Sequence, residues 1–224
     1  MKILVACEES QAVTIELRKL GHEAYSCDIE PCSGGHPEWH IQGDVTGLIN
    51  GRCRFQTVDG SWHEVSGKWD MLIAFPPCTY LSNAGARHLW RGGKLNNSRY
   101  QKGLRAKAFF MSFYNADCSK IVIENPISSR IYKMPKHTQT IQPYQFGHAV
   151  RKTTRLWLKG LPNLTPTNIV DCKQNFLPSG NYSGGHDPIY AGYERSKKSK
   201  DRSKTFPGIA KAMAEQWAGK AEEI

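Results

Sequence analysis

Three short segments end an apolar run in a residue able to do chemistry. Phe75-Pro-Pro-Cys78 presents a thiol directly after two prolines, whose rings fix the backbone just beyond a strand-like run. Ile121-Val-Ile-Glu124-Asn125-Pro126 closes a fully apolar run with a carboxylate, and desolvation there raises a carboxyl pKa toward the range of a useful proton donor near neutrality. Thr154-Arg155-Leu-Trp-Leu158 carries a guanidinium into a third run, where its planar donors can address a base carbonyl. Cys78, Glu124 and Arg155 are thus the candidate nucleophile, acid and hydrogen-bond donor. Each also has a plainer reading: an inert buried thiol, a loop-anchoring acid, a surface arginine.

The elements that must position this trio read as a single α/β unit. Lys2–Ala6 is a short apolar run, and Val13, Leu17 and Leu20 recur at helical spacing from Ser10 to Leu20 before Gly21. Glu23–Asp28 is a second strand ending in an acid, completing a β-α-β unit of the doubly wound kind. Residues 52–69 alternate around Asp59-Gly60 and read as an inserted hairpin. Trp69–Phe75 and Lys120–Glu124 read as buried parallel strands, with Leu104, Ala108 and Met111 marking the crossover helix between them over 103–116. Residues 154–158 give a later strand. Residues 162–203, rich in Pro, Gly, Asn and Ser, read as loop or a small irregular region. Ile209, Met213 and Trp217 lie on one stripe of a final helix that packs back on the core. The expected organisation is a catalytic domain over 1–160, a small basic recognition region over 161–203 and a C-terminal helix over 204–224.

With 224 residues the chain can bury a sizeable core. Its 30 Lys and Arg against 20 Asp and Glu give a formal charge of +10, which favours a polyanionic partner through phosphate neutralisation. Arg195, Lys197, Lys198, Lys200, Arg202 and Lys204 concentrate part of that charge near the C-terminus, with Asp201 the only acid among them. The apolar stretch of about 18 residues that a membrane span needs does not occur, and the seven cysteines, an odd count, read as reduced thiols in a cytoplasmic protein. Cys27, Cys32, His36 and His40 lack a close Cys-x-x-Cys pair and read as packing or loop residues rather than a metal site.

Taken together, Pro77-Cys78 after one strand and Glu124-Asn125 after the next resemble the DNA cytosine-C5 methyltransferase family, in order and in spacing. The resemblance implies a Rossmann-like class I S-adenosylmethionine-dependent methyltransferase that attacks C6 of a flipped-out cytosine with Cys78, while Glu124 assists at N3 and methyl is transferred to C5. It implies S-adenosylmethionine as cofactor, DNA as partner, and a compact, phage-like member with a reduced recognition region. By the same resemblance the cofactor would meet Cys7, Glu8 and Glu9 after the first strand, Asp28 with Ile29 at the ribose, Asp44 with Val45 at the adenine, Phe75 and Pro77, and Thr205 within the closing motif Lys204-Thr-Phe-Pro207. The family's glycine-rich first loop is replaced by Cys7-Glu8-Glu9-Ser10-Gln11, and its Gln-x-Arg-x-Arg motif is reduced to Arg151-Lys-Thr-Thr-Arg155, which leaves Arg155 for the cytosine O2.

DNA contacts are expected from Lys197, Lys198 and Lys200, from Tyr182, Tyr190 and Tyr193, and from Ser82, Asn83 and Arg87 in a loop over 82–94 that closes on the flipped base. Two other readings within the methyltransferases are an enzyme acting on an amino nitrogen, which would require a polar residue where Phe75 stands, and one acting on a free pyrimidine nucleotide. Outside catalysis, the alternative is a silent DNA-binding protein of the same fold.

Overall fold

Alternation along the first strand sets the layering. In β1 (Lys2–Ala6) Ile3 and Val5 face one side of the sheet and Leu4 and Ala6 the other, all fully buried, as a strand covered on both faces requires. A computed structural model describes residues 1–86, 88–172 and 204–221. Among them, β2 (Glu23–Asp28), β3 (His40–Gln42), β6 (Met71–Ala74), β9 (Ile121–Pro126), β10 (Gln139–Ile141) and β11 (Thr154–Lys159) join β1 in one seven-stranded sheet of order β10-β11-β9-β6-β1-β2-β3. All pairings from β3 to β9 are parallel, and only β11, slotted between β9 and β10, runs against its neighbours. The chain is therefore α/β with a mostly parallel mixed sheet, compatible with a Rossmann-like fold.

On one face α3 (Asn97–Tyr114) packs Phe110 and Phe113 against Leu72, Ile123 and Trp157. On the other, α1 (Ala12–Lys19) and the C-terminal helix α4 (Pro207–Trp217) pack together, burying Val13, Leu17, Ile209, Met213 and Trp217 over Ile3, Val5, Ile73 and Val122. The expected hairpin is β4 (Cys53–Gln56) against β5 (Trp62–Val65), turned at Gly60 with a φ of 91°. A short helix α2 (Asn83–Ala86) and a second small hairpin, β7 (Trp90–Arg91) with β8 (Lys94–Leu95), lie between β6 and α3.

The crossover helix begins six residues earlier than its apolar spacing indicates. Asn96 caps it, accepting the Arg99 amide at 3.1 Å, so a polar first turn absent from the hydrophobic pattern is held by a side chain. Strands β3 and β10, three residues each, are too short to show a period. Residues 161–172 form no helix or strand, but they pack on α4: the Trp217 indole donates to the Pro162 carbonyl at 2.9 Å, and Gln216 exchanges two hydrogen bonds with the Thr165 backbone. The remainder of the expected recognition region, with Tyr182, Tyr190, Tyr193, Lys197, Lys198 and Lys200, lies outside the described residues, as does Arg87.

At the start of α4 two influences on one residue oppose each other. Alanine is the better helix former by up to about 1 kcal/mol, yet a Cβ at Gly208 would stand 1.9 Å from the Phe146 carbonyl oxygen. Backbone cannot yield as a side chain tip can, so the clash dominates. Gly208→Ala should lower stability by about 2 kcal/mol or more, measured as a fall in the urea midpoint at unchanged slope; a raised midpoint would show that α4 does not sit this close.

Candidate functional site

The order reverses at β1: β2 and β3 extend to one side, β6 and β9 to the other. In such sheets the crevice beyond the carboxyl ends of the strands at this switch point is where ligands bind. Cys78 follows β6, Glu124 lies in β9, and Cys7, Glu8 and Glu9 follow β1, while Asp28 ends β2.

The loop after β6 carries the thiol. Phe75 donates its amide to the Ala6 carbonyl at 2.9 Å, and buried Pro76 accepts from the Asn125 side-chain amide, also at 2.9 Å. Asn125 is itself fully buried at the end of β9. This one hydrogen bond fixes the Pro-Pro-Cys turn to the strand that bears Glu124. Beyond it, Leu81 and Ser82 both donate their amides to the Cys78 carbonyl, and Ser82 bridges Ser128.

The Glu124 charge acts on Cys78. Burial first, then the Glu124 charge, pushes the Cys78 thiol above its ordinary pKa, while the Lys152 ammonium pulls it down. Burial also raises the Glu124 carboxyl, opposed by Lys152 and by the nearby Thr154 hydroxyl, which itself donates to the Lys152 carbonyl at 3.1 Å. Thr154 lies two positions from Leu156, which pairs with Glu124 across the ladder, so Thr154 shares the Glu124 face. Lys152, at the same spacing again, places its ammonium 5.9 Å from the Phe206 ring centroid. A thiol, a carboxyl and an ammonium therefore come near one another beside the segment that leads into α4. A neutral Glu124 both offers a proton and removes one of the influences holding the thiol protonated.

Arg155 lies elsewhere. It pairs with Asn125, so by alternation it points to the face opposite Glu124, where its charge lowers the His137 pKa after burial has done so. The geometry puts Lys152, not Arg155, next to the thiol and acid. The motif Arg151-Lys-Thr-Thr-Arg155 could not reveal this, because the face each residue takes depends on the register with β9.

The cofactor candidates separate into three kinds. Glu8 is 3 % exposed and both of its oxygens are occupied: they accept from the Val13 amide at 2.7 Å and from the Thr14 amide and hydroxyl at 3.3 and 2.8 Å. It caps the start of α1 and does not face the crevice, which corrects its expected role. Burial raises its pKa to about 7. Cys7, half-buried with its thiol pKa pushed far up by burial and Asp28, shapes the loop. Cys7 and Gln11 adopt φ values of 60° and 57°, left-handed positions that a glycine-rich loop would fill with glycine. Here the fully buried Gln11 side chain holds the turn by bonding to Ser26 and to the backbone of His36. Val45 is core.

Glu9, in the loop after β1, and Asp28, at the end of β2, lie close enough for their charges to interact. Both Glu9 carboxylate oxygens are buried without a hydrogen-bond partner, a costly state unless a ligand donates to them. Asp28, next to it, has its pKa raised by burial and by Glu9 and Glu30, against the Glu30 amide and His40. Ile29 follows with 73 % exposure. Asp44 spends one oxygen on the Thr46 amide and hydroxyl, at 2.8 and 2.6 Å. Pro77 is exposed, and Phe75 and Thr205 are half-buried. Ser82 is 7 % exposed with its hydroxyl accepting the Gly85 amide at 3.2 Å, which assigns it to the turn rather than to an open DNA-contacting surface, whereas Asn83 is exposed. In the stretch 82–94 expected to close over a base, Leu89 is buried, and Leu81 directly before it is buried as well.

Among the described residues no group of three or more His, Cys, Asp or Glu is placed to hold a metal ion. In particular, the His40 ring bonds Ser26 and the Glu30 carbonyl, and His36 stacks on Trp39 at 3.9 Å. A groove of about 800 Å³ lined by Lys68, Asp70, Asp117 and Lys159 lies at the opposite, amino-terminal edge of the sheet, remote from these residues. No described helix is long and apolar enough to cross a membrane. No family model matches the chain, and no curated protein matches it.

The coupling of the three charged groups is testable without any substrate. The pH midpoint for alkylation of Cys78, read by mass spectrometry of its peptide, should move up in Lys152→Gln and down in Glu124→Gln. Midpoints identical to that of the parent protein would separate these groups from the thiol.

Proposed function

We propose that the chain transfers a methyl group from S-adenosylmethionine to C5 of cytosine in DNA through a covalent Cys78 adduct. The carrying observation is the convergence of Cys78, Glu124 and Lys152 at the carboxyl ends of β6 and β9, held by the Asn125 bond to Pro76. The doubly wound order with one reversed strand is compatible with a Rossmann-like methyltransferase. The cofactor half fits as well: Glu9 and Asp28 offer acceptors for ribose hydroxyls or an ammonium, and exposed Ile29 offers an apolar surface to a purine ring. When bound there, S-adenosylmethionine supplies an electrophilic methyl group.

The side chains carry the remaining steps. The Cys78 thiolate adds to C6 of the cytosine, forming a carbon–sulfur bond and driving electron density through C5 toward N3. Glu124, kept proton-rich by burial, donates at N3 and neutralises that density. Lys152 stabilises the thiolate before attack and negative charge on the ring during it. After C5 is methylated, loss of its proton to a base re-forms the C5–C6 double bond as the C6–sulfur bond breaks and the thiolate leaves, and N3 returns its proton to Glu124. Because C6 lies inside the stack of a duplex, the base must be flipped out to meet Cys78.

Asn125 acts through position alone, tying the thiol's loop to the acid's strand. In an assay of labelled methyl transfer to cytosine-containing DNA, Cys78→Ser should reduce turnover to background while retaining S-adenosylmethionine binding. Glu124→Gln should cost about 10² to 10⁴-fold in rate. Full turnover by Cys78→Ser would exclude the covalent route.

A further inference from the structure

Charge is divided along the chain. Residues 1–75 hold 11 Asp and Glu against 6 Lys and Arg, whereas residues 76–172 hold 15 Lys and Arg against 3 acids. Of those three, Asp117 pairs with Lys68 at 2.6 Å and Glu124 belongs to the catalytic site. Neither α3 nor the segment 127–136 after β9 contains an acid. The half that offers carboxylates to a cofactor is thus acidic, and the half that carries the nucleophile is basic.

The basic residues lie on a built platform. The turn Arg130–Tyr132 rests on α3 through Tyr132, whose ring stacks with Tyr100 at 5.9 Å and lies over Gly103 so closely that no Cβ would fit. The Lys107 ammonium donates to the Lys133 carbonyl at 3.3 Å. Arg99 donates to the Thr79 and Gly85 carbonyls at 3.3 and 3.1 Å, which fastens the first turn of α3 to the loop bearing Cys78. Tyr80, two residues after the nucleophile, has the Arg99 guanidinium 5.0 Å and the Lys102 ammonium 5.8 Å from its ring centroid. Lys102, Arg105, Arg130, Lys133 and Lys136 are exposed.

We infer that this face, with Lys102, Arg105, Arg130, Lys133 and Lys136 on it and Tyr80 at its border with Cys78, is the surface that holds the phosphate backbone of duplex DNA. The inference rests on the proposed reaction for its choice of DNA, and on charge and geometry for the surface. Lysines and arginines with no acid beside them among the described residues of α3 and the segment 127–136 match a polyanion, and phosphate contacts fix register without reading sequence. An aromatic ring flanked by two cations beside the nucleophile suits the strand next to an unstacked base.

The test is equilibrium binding of a fluorescent 20-base-pair duplex to the full chain, without S-adenosylmethionine, between about 50 and 200 mM salt. Replacing Lys102, Arg130 and Lys133 together by Gln should flatten the slope of log affinity against log salt by about 2 to 3 and weaken binding by about tenfold or more at the low-salt end. Lys19→Gln with Lys211→Gln, on the opposite side of the sheet, is the control and should change neither. An unchanged slope in the triple variant, an equal loss in the control, or the same residue dependence toward duplex RNA with no binding to DNA would overturn the inference. Binding that depends on this face in a protein that transfers no methyl group would leave the surface standing and remove only the proposed reaction.

Discussion

A single buried hydrogen bond organises the candidate site: the Asn125 side-chain amide donating to the Pro76 carbonyl at 2.9 Å. It joins the turn after one parallel strand to the end of its neighbour, and so sets the thiol of Cys78 against the carboxyl of Glu124. Proline at 76 has no amide to offer the ladder, which leaves its carbonyl as the handle by which the turn can be held. The loop continuing from Cys78 is then drawn toward the segment after β9 by the Ser82–Ser128 bridge and by the Ser129 amide bonding to the Leu81 carbonyl at 2.7 Å. Thiol and acid are a consequence of two adjacent strands being tied together at their ends.

Around that tie the molecule separates two electrostatic tasks. On the β1–β2 side, Glu9 and Asp28 keep carboxylates together at a cost that a ligand with several donors can repay. On the β6–β9–β11 side, Lys152 moderates the effect of burial on both Cys78 and Glu124. The loop between β1 and α1 shows how close packing can substitute for glycine. Cys7 and Gln11 take left-handed conformations costing on the order of 1 kcal/mol or more each, and the Gln11 side chain offsets this by bonding across to β2 and the His36 backbone. Glu8, beside them, serves the helix α1 terminus instead of a ligand.

Much of the fold was legible in the sequence because its strands are short, apolar and sharply ended. β1 and β2 coincide with the expected runs Lys2–Ala6 and Glu23–Asp28, and the hairpin turned at Asp59-Gly60 where the turn chemistry indicated. Strand ends were also the basis for singling out Cys78, Glu124 and Asp28, because in open α/β sheets ligands bind beyond the carboxyl ends of the strands. What period cannot show is relative register. That β11 runs antiparallel between β9 and β10, and therefore turns Thr154 toward Glu124 and Arg155 away, depends on a pairing between residues some thirty positions apart. Glu8 was misread for a related reason: its partners are amides of the helix that follows, a capping role that the residue type alone does not announce. The basic face on α3 went unread because its lysines and arginines are dispersed along the sequence and gathered only by the packing of Tyr132 over Gly103.

The central claim is a covalent bond between Cys78 and C6 of cytosine, and it is tested most directly by trapping that bond. DNA carrying 5-fluorocytosine blocks the proton loss that precedes release, so incubation with S-adenosylmethionine should leave the chain linked to DNA, with the adduct on the peptide containing Cys78 and none in Cys78→Ser. Methyl transfer to ordinary cytosine with no adduct on fluorinated DNA, or an adduct that persists in Cys78→Ser, would contradict the account.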